Sequence, residues 1–285
     1  EQRRIEEAGL GDLTSLNRSR VLALDGLVAI VHPDNPVRAL SPDALAQILS
    51  GQTGDWSEVG GVNAPITLHL VTQGTGFAQR IEDQILRRRS VRDDALRYDT
   101  MAAVMGAVKR DPFGLGIVGY SNVGAAVPIT LEGACGFSIA ANRQSLKTED
   151  YPYTAPLFVY FPARRLPKVA RDFLAYARGV AAQRVIRSAG FVDQIEETIP
   201  VDAQGVRFAN AIRLAGSEVG LEELQRLAST LYDLSRMTTT FRFQAGSAQL
   251  DAQSRSNVLQ LAEVLERGDF DNRRLVFVGF SDGQG

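Results

Sequence analysis

The stretch LHLVTQGTGFAQRIEDQIL, Leu68 to Leu86, holds the chain's clearest arrangement of residues for chemistry. A strand pattern runs into Gln73, Gly74, Thr75, Gly76 and Phe77, and a helix pattern follows. Backbone amides at a helix start point at whatever lies in front of them, and the helix dipole favours an anion there by about 0.3–2 kcal/mol. Gly74 and Gly76 permit a tight turn, and Thr75 can donate to an anion or cap the helix. The chemistry on offer is recognition of an anion rather than bond making.

Two other motif matches fail on context. GLGIVG (Gly114 to Gly119) fits the dinucleotide pattern, which requires a strand before it and a helix after it. Here a helix precedes it, and the glycines themselves sit in an apolar strand. GFSDG (Gly279 to Gly283) fits the nucleophile-elbow pattern. Its chemistry needs a base, and in hydrolases of that fold the His follows the Ser. His32 and His69, the only histidines, both precede Ser281. No catalytic constellation is left, and two histidines with one cysteine, Cys135, supply neither a metal cluster nor a disulfide. The acidic pairs Glu196/Glu197 and Asp93/Asp94 read as solubilising charge on surface segments.

The elements around the loop follow from periodicity. LALDGLVAIVHP (Leu22 to Pro33) is a continuous apolar run and predicts a buried strand. SPDALAQILSG predicts a short helix with Ser41 as N-cap, Pro42 at its first position and Gly51 closing it. TGDWSEVGG, with the only Trp, reads as loop. Ile66, Leu68 and Leu70 alternate as a strand, then Phe77, Ile81 and Ile85 recur at helical spacing. A helix through Met101, Val104, Met105 and Val108 leads to the strand GLGIVGYS. The stretch AAVPITL, the strand APLFVYF (Ala155 to Phe161) and two helices, Pro167 to Arg178 and Val180 to Ala189, follow. GFVDQIEETIPVDAQG reads as an exit segment. Beyond it lie a helix with Leu221, Leu224, Ala228 and Leu231 on one face, the strand TTFRFQAGS, a helix through Val258 and Leu261, and the strand RRLVFVGFSDG. Alternating strands and helices indicate an α/β architecture with largely parallel strands.

Composition bounds the rest. The 285 residues are 45% hydrophobic and 22% charged, ordinary values for a folded chain of two or three domains. A net charge of −2, from 31 basic and 33 acidic residues, gives no electrostatic case for nucleic acid. No apolar run approaches a membrane span, and EQRRIEEAGL is not a signal peptide.

Taken in order, LDGLVAIVHPDNPV, SG…WSEVGG, the G-T-G loop, DPFGLGIVGYSNV and ARDFLAYARGVAAQRVIRSAGFV resemble the phosphate-binding periplasmic proteins of ABC importers. The final stretch, from TTFRFQAGSAQL to GFSDGQG, resembles the OmpA-like peptidoglycan-binding domain. The resemblance implies a two-lobed, type II periplasmic-binding-protein-like α/β fold followed by a partial α+β OmpA-like domain. It implies lobe one at 1–32 with a crossover strand, lobe two at 33–126, a return to lobe one at 127–200, a linker and amphipathic helix at 201–234, and the OmpA-like unit at 235–285. It also implies that the family's first strand and helix precede Glu1 and that the OmpA-like unit continues past Gly285.

In the resembling family the loop reads Arg-x-Asp-Gly-Ser-Gly-Thr, the Arg clamping phosphate and the Asp accepting from protonated phosphate. Here Thr75 replaces the Ser and Gly76 is kept, while Val71, Gln73 and Phe77 replace the Arg, Asp and Thr. Loss of a charge-assisted Arg contact and a hydroxyl costs about 2–4 kcal/mol of binding. Gln73, unlike a carboxylate, does not repel a fully deprotonated anion such as sulfate. Arg3 aligns with a pocket position and is a candidate replacement cation. Asp282 matches the family Asp that holds diaminopimelate. The implied function is non-enzymatic: a periplasmic receptor for phosphate or a similar small anion, without cofactor, tethered to peptidoglycan and serving an ABC permease if it serves import. The alternative is a ligand-free structural or adaptor protein of the cell envelope with a degenerate anion site.

Overall fold

The computed structural model describes residues 19–87, 89–133, 138–162, 165–200, 219–244 and 246–279. Its organising element is β1 (Ser19–Val31), buried almost throughout from Val21 onward, as an unbroken apolar run requires. β1 takes part in two pairings in succession. Residues 19–26 pair antiparallel with β9 (Thr154–Tyr160), and residues 27–31 pair antiparallel with β5 (Gly114–Gly119). Ile30 and Val31 also meet β6 (Val127–Pro128).

The segment after β1 adds a small sheet and the first helix. β2 (Ala39–Leu40), β7 (Thr130–Glu132) and β8 (Ser138–Ile139) form a three-stranded sheet. α1 (Pro42–Ser50) has the expected ends. Ser41 accepts from the Ala44 amide at 3.0 Å, and Gly51 closes the helix in the left-handed conformation. Its buried face is Leu45, Ala46, Ile48 and Leu49.

β3 (Thr67–Val71), β4 (Leu96–Tyr98) and β5 are joined through helices, and so β3 lies parallel to both. The connecting helices are α2 (Gly76–Arg80), continued as a π turn over Ile81–Leu86, and α3 (Met101–Val108). The main sheet runs β4-β3-β5-β1-β6, with β9 also on β1. The expectation of largely parallel strands is therefore corrected to a mixed sheet. Every partner of β1 runs against it, and within this sheet only the helix-linked strands are parallel. GLGIVG forms β5, buried at every residue, with α3 before it, so no glycine turn opens a helix there.

WSEV is not loop. Asp55 and Glu58 form a capping box around a 3-10 turn, Trp56–Val59. Trp56 is fully buried, with its indole N–H donating to the Phe113 carbonyl at 2.9 Å.

The remaining elements are α4 (Arg143–Lys147), α5 (Lys168–Arg178), α6 (Val180–Ser188), β10 (Thr198–Pro200), α7 (Leu221–Leu231), β11 (Ser235–Met237) and α8 (Ala252–Glu266). β10 and β11 pair with each other. The apolar face expected on α7 is present, yet α7 buries none of its residues among the described ones. Two strands expected near the C-terminus do not form within the described residues. At 239–244 the backbone is held elsewhere: the Thr239 amide donates to Glu196 and the Arg242 amide to Ser254 Oγ. Val276, Phe277 and Val278 stand exposed with no ladder neighbour among the described residues, and a strand without one is not stable. Phe241 and Phe277 still meet, ring centroids 6.4 Å apart.

The charge expectation at 196–197 is also corrected. Glu197 accepts from Arg143, Lys147 and Arg187 at 2.7–3.0 Å, and fully buried Asp193 accepts from Lys147 and Arg187 at 2.9 and 2.7 Å. Arg143 first, then Lys147, pull the Glu197 carboxyl down to about 2 against the opposing effect of burial. These carboxylates stitch α4 to α6 and to the segment after it. Asp94, by contrast, stays exposed and pairs with Arg92.

Candidate anion site at the strand ends

The loop after β3 lies where β3, β4 and β5 all end and β1 runs in the opposite sense, the edge at which open α/β sheets place their ligands. Thr72 ties it down. Its amide donates to the Tyr98 carbonyl at 2.8 Å, and its hydroxyl reaches that carbonyl and Asp99. Gly74 takes φ +79, a left-handed conformation open to glycine and strained for most side chains. Thr75 then turns extended and caps α2, its Oγ accepting from the Ala78 amide at 3.1 Å and donating to the Thr72 carbonyl at 3.2 Å.

The Thr75 hydroxyl is thus engaged within the loop. The first amides of α2, those of Gly76 and Phe77, have no partner inside their helix, as at any helix start. Gln73, Gly74, Thr75 and Gly76 are exposed. The Phe77 side chain packs against the core, so this residue offers its amide alone. Val71 belongs to the core and offers nothing polar in place of a clamp. The structure brings residues 73–77 together. Arg3 and Asp282 lie outside the described residues.

Two cations that sequence reasoning missed flank the loop. Arg97 on β4 donates from Nη1 to the Val71 carbonyl at 3.1 Å, at the root of the loop, and burial lowers its pKa against the raising effect of Glu82. Arg80, one turn into α2, donates from Nη2 to the Pro156 carbonyl of β9 at 2.7 Å, reaching from the loop's helix to the far partner of β1. Alternation along β4 does not mark Arg97 as special; only the pairing of β3 with β4 carries it to Val71.

Asp25 is the other group sequence reasoning passed over. It sits buried where β1 changes partners. Its carboxylate accepts from the Gly26 amide at 2.9 Å and from the amide and hydroxyl of Ser121 at 3.1 Å. Burial raises its pKa, while these hydrogen bonds oppose the rise. Gly119 leaves it room, since a Cβ there would stand 2.6 Å from Asp25 Oδ2. Among the described residues no group of three His, Cys, Asp or Glu could hold a metal ion, and no helix is long and apolar enough to cross a membrane.

Comparison with known proteins adds to this geometry. The model of the PBP superfamily domain matches residues 3–178. The phosphate-binding protein PstS of Borreliella burgdorferi is 20% identical over 182 residues, which are 61% of this chain and 65% of that protein. PstS of Pseudomonas aeruginosa is 24% identical over 195 residues, 60% of this chain and 58% of that protein. The chain therefore spans less than two thirds of the length of these relatives. An ABC-type phosphate transport receptor from Vibrio cholerae shares the fold with a TM-score of 0.53 at 21% identity, over 61% of this chain and 71% of the receptor.

Proposed function

The chain belongs to the PBP superfamily through residues 3–178, and on that premise we propose that it binds phosphate or a similar small oxyanion in front of the Gly74-Thr75-Gly76 turn. The observation that carries this reading is the pair of guanidinium groups beside a helix start whose clamp residue has been lost. Arg97 at the Val71 carbonyl and Arg80 at β9 supply positive charge that Val71 does not. The Gly76 and Phe77 amides supply the direct donors. Asp25 and Asp99 border the same edge, and a carboxylate there disfavours a fully deprotonated anion over one that carries a proton. This reading also carries the family's finer features: two lobes with the ligand between them, a periplasmic location and a permease partner. No step of it requires catalysis or a cofactor.

The test is calorimetric titration of the full chain with phosphate and with sulfate, repeated on Arg97→Ala. The expected result is phosphate binding that weakens about 10–100-fold in the variant, the worth of one hydrogen bond from a charged group. No heat with either anion from folded protein overturns the reading and leaves the alternative, an envelope adaptor with a degenerate site. The peptidoglycan tether is a separate proposal, resting on the OmpA-like motif and Asp282. It predicts that sedimented peptidoglycan retains the chain and retains Asp282→Ala less.

A further inference from the structure

The turn after α4 gathers side chains from the far end of the described chain. Arg236 bonds the Asp150 carboxylate at 2.7 and 3.2 Å, and Thr240 donates from Oγ to the Thr148 carbonyl at 2.7 Å. Arg242 donates to the Glu149 carbonyl, and its Nε lies 3.9 Å from the Glu149 carboxylate. Asn257 of α8 donates from Nδ2 to Glu149 Oε1 at 3.1 Å and to the Thr240 carbonyl at 2.8 Å. Four side chains between residues 236 and 257 thus converge on three consecutive residues. Glu149 is 5% exposed and takes φ +57, a strained conformation for a residue with a side chain.

A small crevice lies between the two parts. Glu149, Gln253, Asn257, Lys147 and Glu196 are among the residues that line it. Gln253 donates to Asn257 Oδ1 at 2.9 Å, but its own Oε1 is buried without a partner, on a residue 5% exposed. An ionised Glu149 can only accept hydrogen bonds, whereas a neutral one adds an O–H donor to the crevice that Gln253 also lines. Asp150 and Asp251 add negative charge around Glu149, and Arg242 opposes them. Lys147 is engaged by Asp193 and Glu197.

We propose that this contact is a proton-operated latch: residues 236–257 seat on the 148–150 turn as Glu149 takes up a proton, and they release when it ionises. The inference does not rest on the anion reading. Burial first, against the pull of Arg242, pushes the Glu149 carboxyl up to about 7 from its ordinary 4.5. Seating therefore binds a proton. The latch is strongest below about pH 4.5 and is lost as pH rises through about 7, with up to about a 300-fold change in the seating equilibrium. Because Ser256 of α8 accepts from the Val21 amide, the latch also grips β1, the strand shared by both sets of pairings.

Hydrogen exchange of the full chain at pH 5 and pH 8, corrected for intrinsic rates, tests the latch. Protection over residues 236–257 is expected to fall tens- to hundreds-fold at the higher pH, and E149Q, neutral at both, is expected to show no such fall. Flat protection in the unsubstituted chain, or an undiminished fall in E149Q, overturns the proposal. Carbon-13 titration of the Glu149 carboxyl in the unsubstituted chain gives a readout that needs no variant. A midpoint near 7 supports the latch, and one near 4.5 overturns it.

Discussion

Replacement of Asp193 by Asn removes the charge at the centre of the α4–α6 cluster while keeping the shape of the side chain. Asp193 is fully buried and accepts from Lys147 Nζ at 2.9 Å, Arg187 Nε at 2.7 Å and the Ile195 amide at 3.1 Å. Burial alone would raise its pKa; the bonds from Arg187 and Lys147 outweigh it and bring the group down to about 2 from 3.8. At about 1.36 kcal/mol per pH unit, this difference of about 1.8 units contributes about 2.4 kcal/mol at neutral pH. The folded value is the depressed one. The contribution is therefore present above about pH 4, falls to roughly half at pH 3 and is lost as pH drops through about 2. Breaking a buried pair with one partner left in place can cost about 3–5 kcal/mol, which sets the upper bound, and Lys147 keeps Glu197 as a second partner. The expected loss for Asp193→Asn is about 2–4 kcal/mol at pH 7 and about 1 kcal/mol or more smaller at pH 3, on the same scale. Urea unfolding followed by the fluorescence of Trp56, the only Trp and fully buried, reads both values. A loss below about 1 kcal/mol at pH 7, or an equal loss at both pH values, refutes the reasoning.

The other predictions concern the strand-end edge and its supports. Gly119→Ala sets a Cβ 2.6 Å from Asp25 Oδ2 and is expected to destabilise by about 1–3 kcal/mol in urea unfolding, with Gly124→Ala a poor control because Gly124 has φ +59. Thr75→Ala removes the cap on α2 and is expected to cost about 0.5–2 kcal/mol of stability. Since that hydroxyl is already bonded within the loop, phosphate affinity measured by calorimetry should change less than in Arg97→Ala. Buried His69 receives Tyr98 Oη at Nδ1, 2.9 Å away, and meets Asp111 at Nε2, 3.0 Å away. Tyr98→Phe should cost about 0.5–1.5 kcal/mol, and nitrogen-15 spectra should find the proton of neutral His69 on Nε2.

Much of the local structure was legible because it is written in short-range pattern. The apolar run at Leu22–Val31, the Ser41-Pro42-…-Gly51 helix and the strand, glycine turn and helix at 68–86 depend on neighbours a few residues apart, and all three formed. That Val71 and Phe77 give the loop no polar side chain was legible too, and both turn to the core. Within the described residues the two strands expected near the C-terminus do not form, for the opposite reason. Alternation of Phe and Val predicts that a segment can be a strand, but a ladder partner has to be present for it to become one.

The sequence by itself determined the long buried strand, the capped helix at 41–51, the strand, turn and helix at 68–86, and that Val71 and Phe77 give the loop no polar side chain. Only the tertiary structure decided which cations lie beside the loop and what the acidic residues do. Arg97 reaches Val71 because β4 pairs with β3, and Asp193 and Glu197 are stitching carboxylates because α4 and α6 bring Arg143, Lys147 and Arg187 to them. A charge's role depends on its distance to other charges and to water, and between residues about fifty positions apart that distance exists only once the chain has folded.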